Sequence, residues 1–235
     1  MHGEPTRPDT ANPTCAASHL NDGDVAIADP MSGDVSSEAT SVMGPGRLES
    51  FSDGVIAVII TIMAFELKTP AAANFHALSH ELPLLLVYVL SFTFVGIYWV
   101  NHHHLLRVTK HIDAAVMWTN LHLLFWLSLI PFVTSWVGAQ HGHSLPAACY
   151  GVVGIGAGVA YNLLGFAIHR ANPHNAAIAR ATHRDVKGNI SILVYCASIG
   201  LAFISPYISY ACFAAVAIAW FLPDRRLVTA SGATT

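Results

Sequence analysis

Charge is what this 235-residue sequence has least of. Asp, Glu, Lys and Arg together make up 11% of it, against about a quarter of a typical soluble domain. A chain that is also 54% hydrophobic cannot present a soluble surface on every side, so it reads as a membrane protein. Half of its acids (Glu4, Asp9, Asp22, Asp24, Asp29, Asp34 and Glu38) lie before residue 46. No basic patch is present, which leaves a nucleic-acid partner without footing. The four cysteines, Cys15, Cys149, Cys196 and Cys212, show no CxxC spacing. Three of them sit in apolar segments, where a thiol usually serves as a small core residue, so neither a disulfide framework nor a zinc site is expected. Residues 1–45 lack the basic start and apolar core of a signal peptide. They are rich in Pro, Ser, Thr, Asp and Gly, and read as a disordered tail, as do residues 227–235. No Ser/His/Asp arrangement and no HExxH motif occurs, so no catalytic residue or cofactor is assigned and the chain does not read as an enzyme.

Long apolar runs are what the sequence does have. A spanning helix needs roughly 20 apolar residues, and candidates lie at about 48–67, 82–101, 113–138 and 145–168. Pro83 falls in the first turn of the second, where proline is tolerated. The uncharged stretch 190–222 would run to about 50 Å as one helix, too long for a hydrocarbon core of about 30 Å. Ser205-Pro206 breaks it, giving helices at about 188–204 and 207–222 and a total of six spans. With a cytoplasmic N-terminus, ten of the eleven Lys and Arg residues fall on the inner side and only Lys68 outside. This matches the positive-inside rule and predicts both termini in the cytoplasm, with the chain in the cell (inner) membrane. Residues 46–226, which hold the six spans, form the one domain between the two tails.

The first helix carries an unusual combination. At about 100° per residue, Val58, Ile62 and Phe65 share one stripe, extended toward the start by Phe51 and Gly54 and flanked by Thr61. Asp53 falls about 140° from the centre of that stripe, with Glu49 opposite the stripe. A carboxylate in a membrane helix is costly and needs partners. Arg47, Asn101, His102, His103, Asn120, His122 and Asn189 are expected at the same depth. An apolar stripe by itself reads as lipid contact or core packing far more often than as a pore.

Arg47…Phe51-Ser52-Asp53 fits an RxxxFSD pattern. With Phe94-Val-Gly-Ile-Tyr-Trp99-Val-Asn101-His102-His103 and Leu127-Ser-Leu-Ile-Pro131-Phe132, the chain resembles the lysosomal potassium channel family, transmembrane protein 175, and its bacterial homologues. The resemblance implies an all-α polytopic fold with six transmembrane helices and one repeat per chain. It also implies a symmetric homotetramer whose first helix lines a central pore. Animal members carry two repeats per chain. The resemblance further implies potassium as permeant ion, with a constriction at Val58, Ile62 and Phe65 and Thr61 as their polar neighbour. Phe65 departs from the aliphatic residue usual there. Arg47, Phe51, Ser52, Asp53, Asn101, His102, His103 and Asn120 then form the signature and a polar network that anchors the helix.

Hydrophobic rings can gate by dewetting. The competing function is a secondary transporter or proton-coupled carrier of small cations, which would more often show inverted repeats and helices broken at midplane. Residues 46–138 and 144–226 show no such repeat. His102-His103-His104 invites a metal reading, but consecutive residues on a helix point about 100° apart, so no metal is expected on that triplet. Gly154-Ile-Gly156-Ala-Gly158 lies inside a span without a preceding strand, so it predicts close helix packing rather than a nucleotide loop. Glu66 and Lys68 are placed near the outer mouth, where Glu66 either concentrates cations or is a solvated rim residue.

Overall fold

The computed structural model describes residues 44–176, 178 and 186–221. Apart from Gly44 and Pro45, the two tails expected at 1–45 and 227–235 lie outside the described residues. The described elements are α1 (Pro45–Phe65), α2 (Phe75–Arg107), α3 (Ala114–Ser128), α4 (Ile130–Ala139), α5 (Ser144–Ala171), α6 (Val186–Ala202) and α7 (Pro206–Phe221). Four stretches are long and apolar enough to cross a membrane: Pro45–Phe65, Phe75–Arg107, Ala114–Ala139 and Ser144–Ala171. Among the described residues all regular structure is helical, and the apolar lengths are those of a membrane protein. The apolar helices α6 and α7 are shorter, at 17 and 16 residues.

Two helices differ from the sequence expectation for identifiable reasons. α2 runs to 33 residues because Asn74 starts it early: its side chain accepts from the Ala77 N–H at 2.8 Å, satisfying an orphan donor of the first turn. Pro83 therefore sits in the helix interior, not in its first turn. The expected 113–138 helix is divided at Leu129. Pro131 supplies no N–H, and its ring crowds the carbonyl one turn back. Asp113 caps the start of α3 through the Val116 N–H at 2.8 Å. The division at Ser205-Pro206 falls where the sequence places it. There, the Ser209 hydroxyl donates to the Ser198 carbonyl at 2.6 Å, tying α7 back onto α6.

α5 is the central helix, packed mainly on α3 and α6. Its buried face is built from small residues, among them Gly151, Gly154, Gly156, Ala157 and Ala160. They let neighbouring backbones approach, the usual means of helix association where lipid offers no hydrophobic drive. Gly154 lies under Tyr195 and Gly158 under Ile192 of α6, while a side chain at Gly156 would overlap the Trp126 indole of α3. Hydroxyls bridge the remaining helices. Thr134 of α4 donates to Ser91 of α2 at 2.7 Å, and Ser91 lies 3.0 Å from the Tyr150 hydroxyl of α5. After α5, Asn172 accepts from the Lys110 and His111 N–H groups and donates to the His111 carbonyl. This closes the α2–α3 turn against the end of α5.

Candidate functional site

α1 packs on α2, α3 and α4 through one face only. Leu48, Ser52, Ile56, Ile59 and Met63 are buried, at spacings of three and four that make a single stripe. The opposite face is left uncovered by the chain: Phe51 is 50% exposed, Val58 55%, Ile62 44% and Phe65 88%. Gly54 and Thr61 lie on the same open side. The rotation of α1 thus agrees with the helical-wheel assignment. Val58, Ile62 and Phe65 share a face, and the chain does not bury it.

Thr61 belongs to that face in a specific way. Its hydroxyl donates back to the carbonyls of Val58 at 2.8 Å and Ala57 at 3.1 Å. The proton is thereby occupied, and what the exposed side chain has left to offer is the oxygen's lone pairs. Beside this face runs a groove of about 1010 Å³ between α1 and the α3–α4 segment, bordered by Phe51, Val58, Ile62, Pro131, Phe132 and Trp136. Glu66, at the end of α1, accepts from the Ser135 hydroxyl at 2.8 Å and closes one end of the groove with a carboxylate.

The polar residues of the signature do not form one network. They divide between two neighbours. Ser52, fully buried, donates to its own Leu48 carbonyl at 2.9 Å and accepts from the Asn120 amide at 2.9 Å. Asn120 Oδ1 in turn lies 2.7 Å from His102 Nε2. Because the Asn120 amide nitrogen is spent on Ser52, its oxygen faces the imidazole, and His102 Nε2 carries the proton. All donors in this chain point toward α1. Asp53 is engaged separately, accepting from the Trp99 indole N–H at 2.9 Å. Glu49 lies 2.8 Å from His103 Nδ1. The three consecutive histidines point apart as expected: His102 inward to Asn120, His103 toward α1, and His104 exposed.

Other expected partners are not drawn in. Among the described residues Arg47 forms no ion pair with Asp53 or Glu49. Asn101 donates to the Ile97 carbonyl of its own helix. His122 accepts from Trp126 one turn along α3, and Asn189 is exposed. Trp99 is the partner that the sequence pattern does not single out, since a tryptophan near a helix end usually reads as an interfacial anchor. Its signal is the spacing to His103: four residues apart, the two rings stack with centroids 5.8 Å apart and present one face to Glu49 and Asp53.

With this geometry established, comparison with known proteins identifies the lineage. The profile of the family described as endosomal/lysosomal potassium channel TMEM175 matches residues 47–131, which span α1 to the start of α4. A potassium channel from Chryseobacterium sp. (strain P1-3) is 45% identical over 185 residues, covering 79% of this chain and 96% of the relative. A potassium channel from Streptomyces collinus is 32% identical, covering 74% of this chain and 89% of the relative. The crystal structure of a lysosomal potassium-selective channel TMEM175 homolog from Chamaesiphon minutus superposes with a TM-score of 0.66 at 26% identity, covering 75% of this chain and 95% of that one. The chain belongs to the TMEM175 potassium channel family.

Proposed function

We propose that four copies of this chain assemble about an axis lined by α1 and conduct potassium passively and selectively. In this reading each chain contributes one six-span repeat within residues 46–226. α3 and α4 together make the third span, and α6 and α7 make the fifth and sixth. The tails 1–45 and 227–235 lie outside the channel domain. Both termini face the cytoplasm of the cell whose inner membrane holds the channel, since nearly all of the basic residues then fall inside. No cofactor is required, and potassium is the permeant species.

The observation that carries the reading is the uncovered face of α1. Val58, Ile62 and Phe65 are exposed while Ile56, Ile59 and Met63 on the other side are buried. Four copies of that face make successive apolar rings. A closed ring excludes water, and an ion stripped of water enters such a ring only at large cost. Opening must widen the rings until a partly hydrated ion fits. Selection among monovalent cations then follows the cost of dehydration, with the lone pairs of Thr61 as ligands. Phe65, larger than an aliphatic residue, narrows the outermost ring. The likeness to potassium channels in Chryseobacterium and Streptomyces collinus supports potassium as the ion.

Flux into liposomes tests this. Potassium is expected to move down its own gradient, with a reversal potential near the potassium equilibrium value. Obligatory coupling of that flux to a second ion would refute a channel.

A further inference from the structure

Glu49 and Asp53, one turn apart on α1, and His103 on α2 each bring one ligand atom to within 4.8 Å of the others. His103 Nδ1 sits 2.8 Å from Glu49 Oε1. The nitrogen is shielded from solvent, yet it forms no hydrogen bond: the contact has the length of one but not the direction. The supports lie outside the cluster. The Trp99 N–H holds Asp53 Oδ1 at 2.9 Å, and the Trp99 ring stacks on His103. Charge adds a separate argument. Two carboxylates meet here, and among the described residues no Lys or Arg pairs with either. Even a protonated His103 leaves one negative charge uncompensated in a partly buried place, a costly state.

We propose that Glu49, Asp53 and His103 form a divalent metal site of the zinc class that pins α1 to α2. One imidazole and two carboxylates, with water in the remaining position, are a ligand set that zinc accepts. The imidazole favours a zinc-like ion over magnesium or calcium. Bonds of 2.0–2.2 Å place neighbouring ligands about 3.4 Å apart. Glu49 and His103 therefore spread slightly and Asp53 closes in, changes that side-chain rotation supplies. The Glu49 and His103 side chains are 22% and 30% exposed, so an ion reaches them from solvent. Trp99 serves as the outer partner that fixes a ligating carboxylate. The histidine triplet alone predicts no such site, because the two acids come from another helix.

The test uses the full chain, purified with any tag removed and stripped with chelator, then titrated with zinc chloride by calorimetry. One tight site per chain is expected above weak surface binding. Glu49→Gln and His103→Gln are each expected to weaken it at least tenfold, while His143→Gln in the α4–α5 loop leaves it unchanged. Wild-type affinity in Glu49→Gln, or no tight site in the unmutated chain, overturns the proposal. Should the variants misfold, cobalt chloride added to the unmutated chain decides. Intense visible bands of a four-coordinate ion support the site, and only the pale spectrum of a hexaaquo-like ion overturns it. None of these readouts depends on potassium flux, so a failed channel assay and a failed metal site are separate results.

Discussion

Replacing Asn120 by leucine should cost far more than the loss of one side-chain hydrogen bond. Asn120 is fully buried between Ser52 and His102. After Asn120→Leu, Ser52 keeps its bond to the Leu48 carbonyl and suffers little. His102 does not recover: it is also fully buried, its Nδ1 already has no partner, and the substitution strips the partner from its Nε2. Leaving a buried donor unmade costs about 1–3 kcal/mol. Interhelical hydrogen bonds in membrane proteins average only about 0.6 kcal/mol, with a maximum near 1.7, because freed groups find other partners. The closed surroundings of His102 offer none, so we expect about 2 kcal/mol for Asn120→Leu, the middle of the range for a stranded buried donor and slightly above the interhelical maximum. His102→Phe should cost a similar amount by stranding Asn120 Oδ1. The double variant should cost clearly less than the sum, with a coupling of about 1.5 kcal/mol, since removing both polar partners relieves the mismatch. Reversible unfolding in mixed detergent–dodecyl sulfate micelles, followed by circular dichroism, measures all three. Single-variant costs that add to within about 0.5 kcal/mol would refute the reasoning.

Two other substitutions test the packing and the pore. Gly156→Val forces a side chain into the Trp126 indole and should destabilise by about 1–3 kcal/mol in the same unfolding titration, as overpacking does. Gly200→Ala, with open space around the new methyl group, serves as its control and should not lower stability. On the proposed pore, Ile62→Ala would thin one apolar ring and should raise basal potassium flux in liposomes several-fold, while unchanged flux from well-assembled protein would remove Ile62 from the barrier.

How much of this was legible in the sequence depended on whether a feature is periodic or paired. The open face of α1 was legible because Val58, Ile62 and Phe65 repeat with the helix, and burial follows that period. The Ser205-Pro206 division and the close packing at Gly154 and Gly158 were legible because proline and glycine act through the local backbone. The early start of α2 was not. Asn74 is a common loop residue, and the polar turns after it, with His76, His80 and Glu81, carry no membrane-span pattern. The division at Leu129 was half legible: Pro131 stands out as a mid-span break, but the uncharged run around it still reads as one helix. Trp99 was hidden by its own plausibility as an interfacial residue, and Glu49 and Asp53 meet His103 only through the packing of α1 on α2.

The division of the polar signature into two contacts bears directly on what α1 does. Ser52 and Asp53 are adjacent, so their side chains leave the helix about 100° apart and cannot serve one neighbour. Ser52 is held by Asn120 of α3, and Asp53 by Trp99 of α2. A single anchor leaves a helix free to swing about it. Two anchors at different angles, on two different helices, fix rotation about the helix axis. The remaining arc is the one that carries Phe51, Val58, Ile62 and Phe65. The orientation of the apolar face is therefore a consequence of where the two polar side chains are tied. Loss of either tie should let the apolar face turn: Asp53→Ala is expected to lower the yield of assembled oligomer without changing the ion preference of what assembles. A well-assembled Asp53→Ala protein with altered preference would show instead that Asp53 acts on the permeating ion.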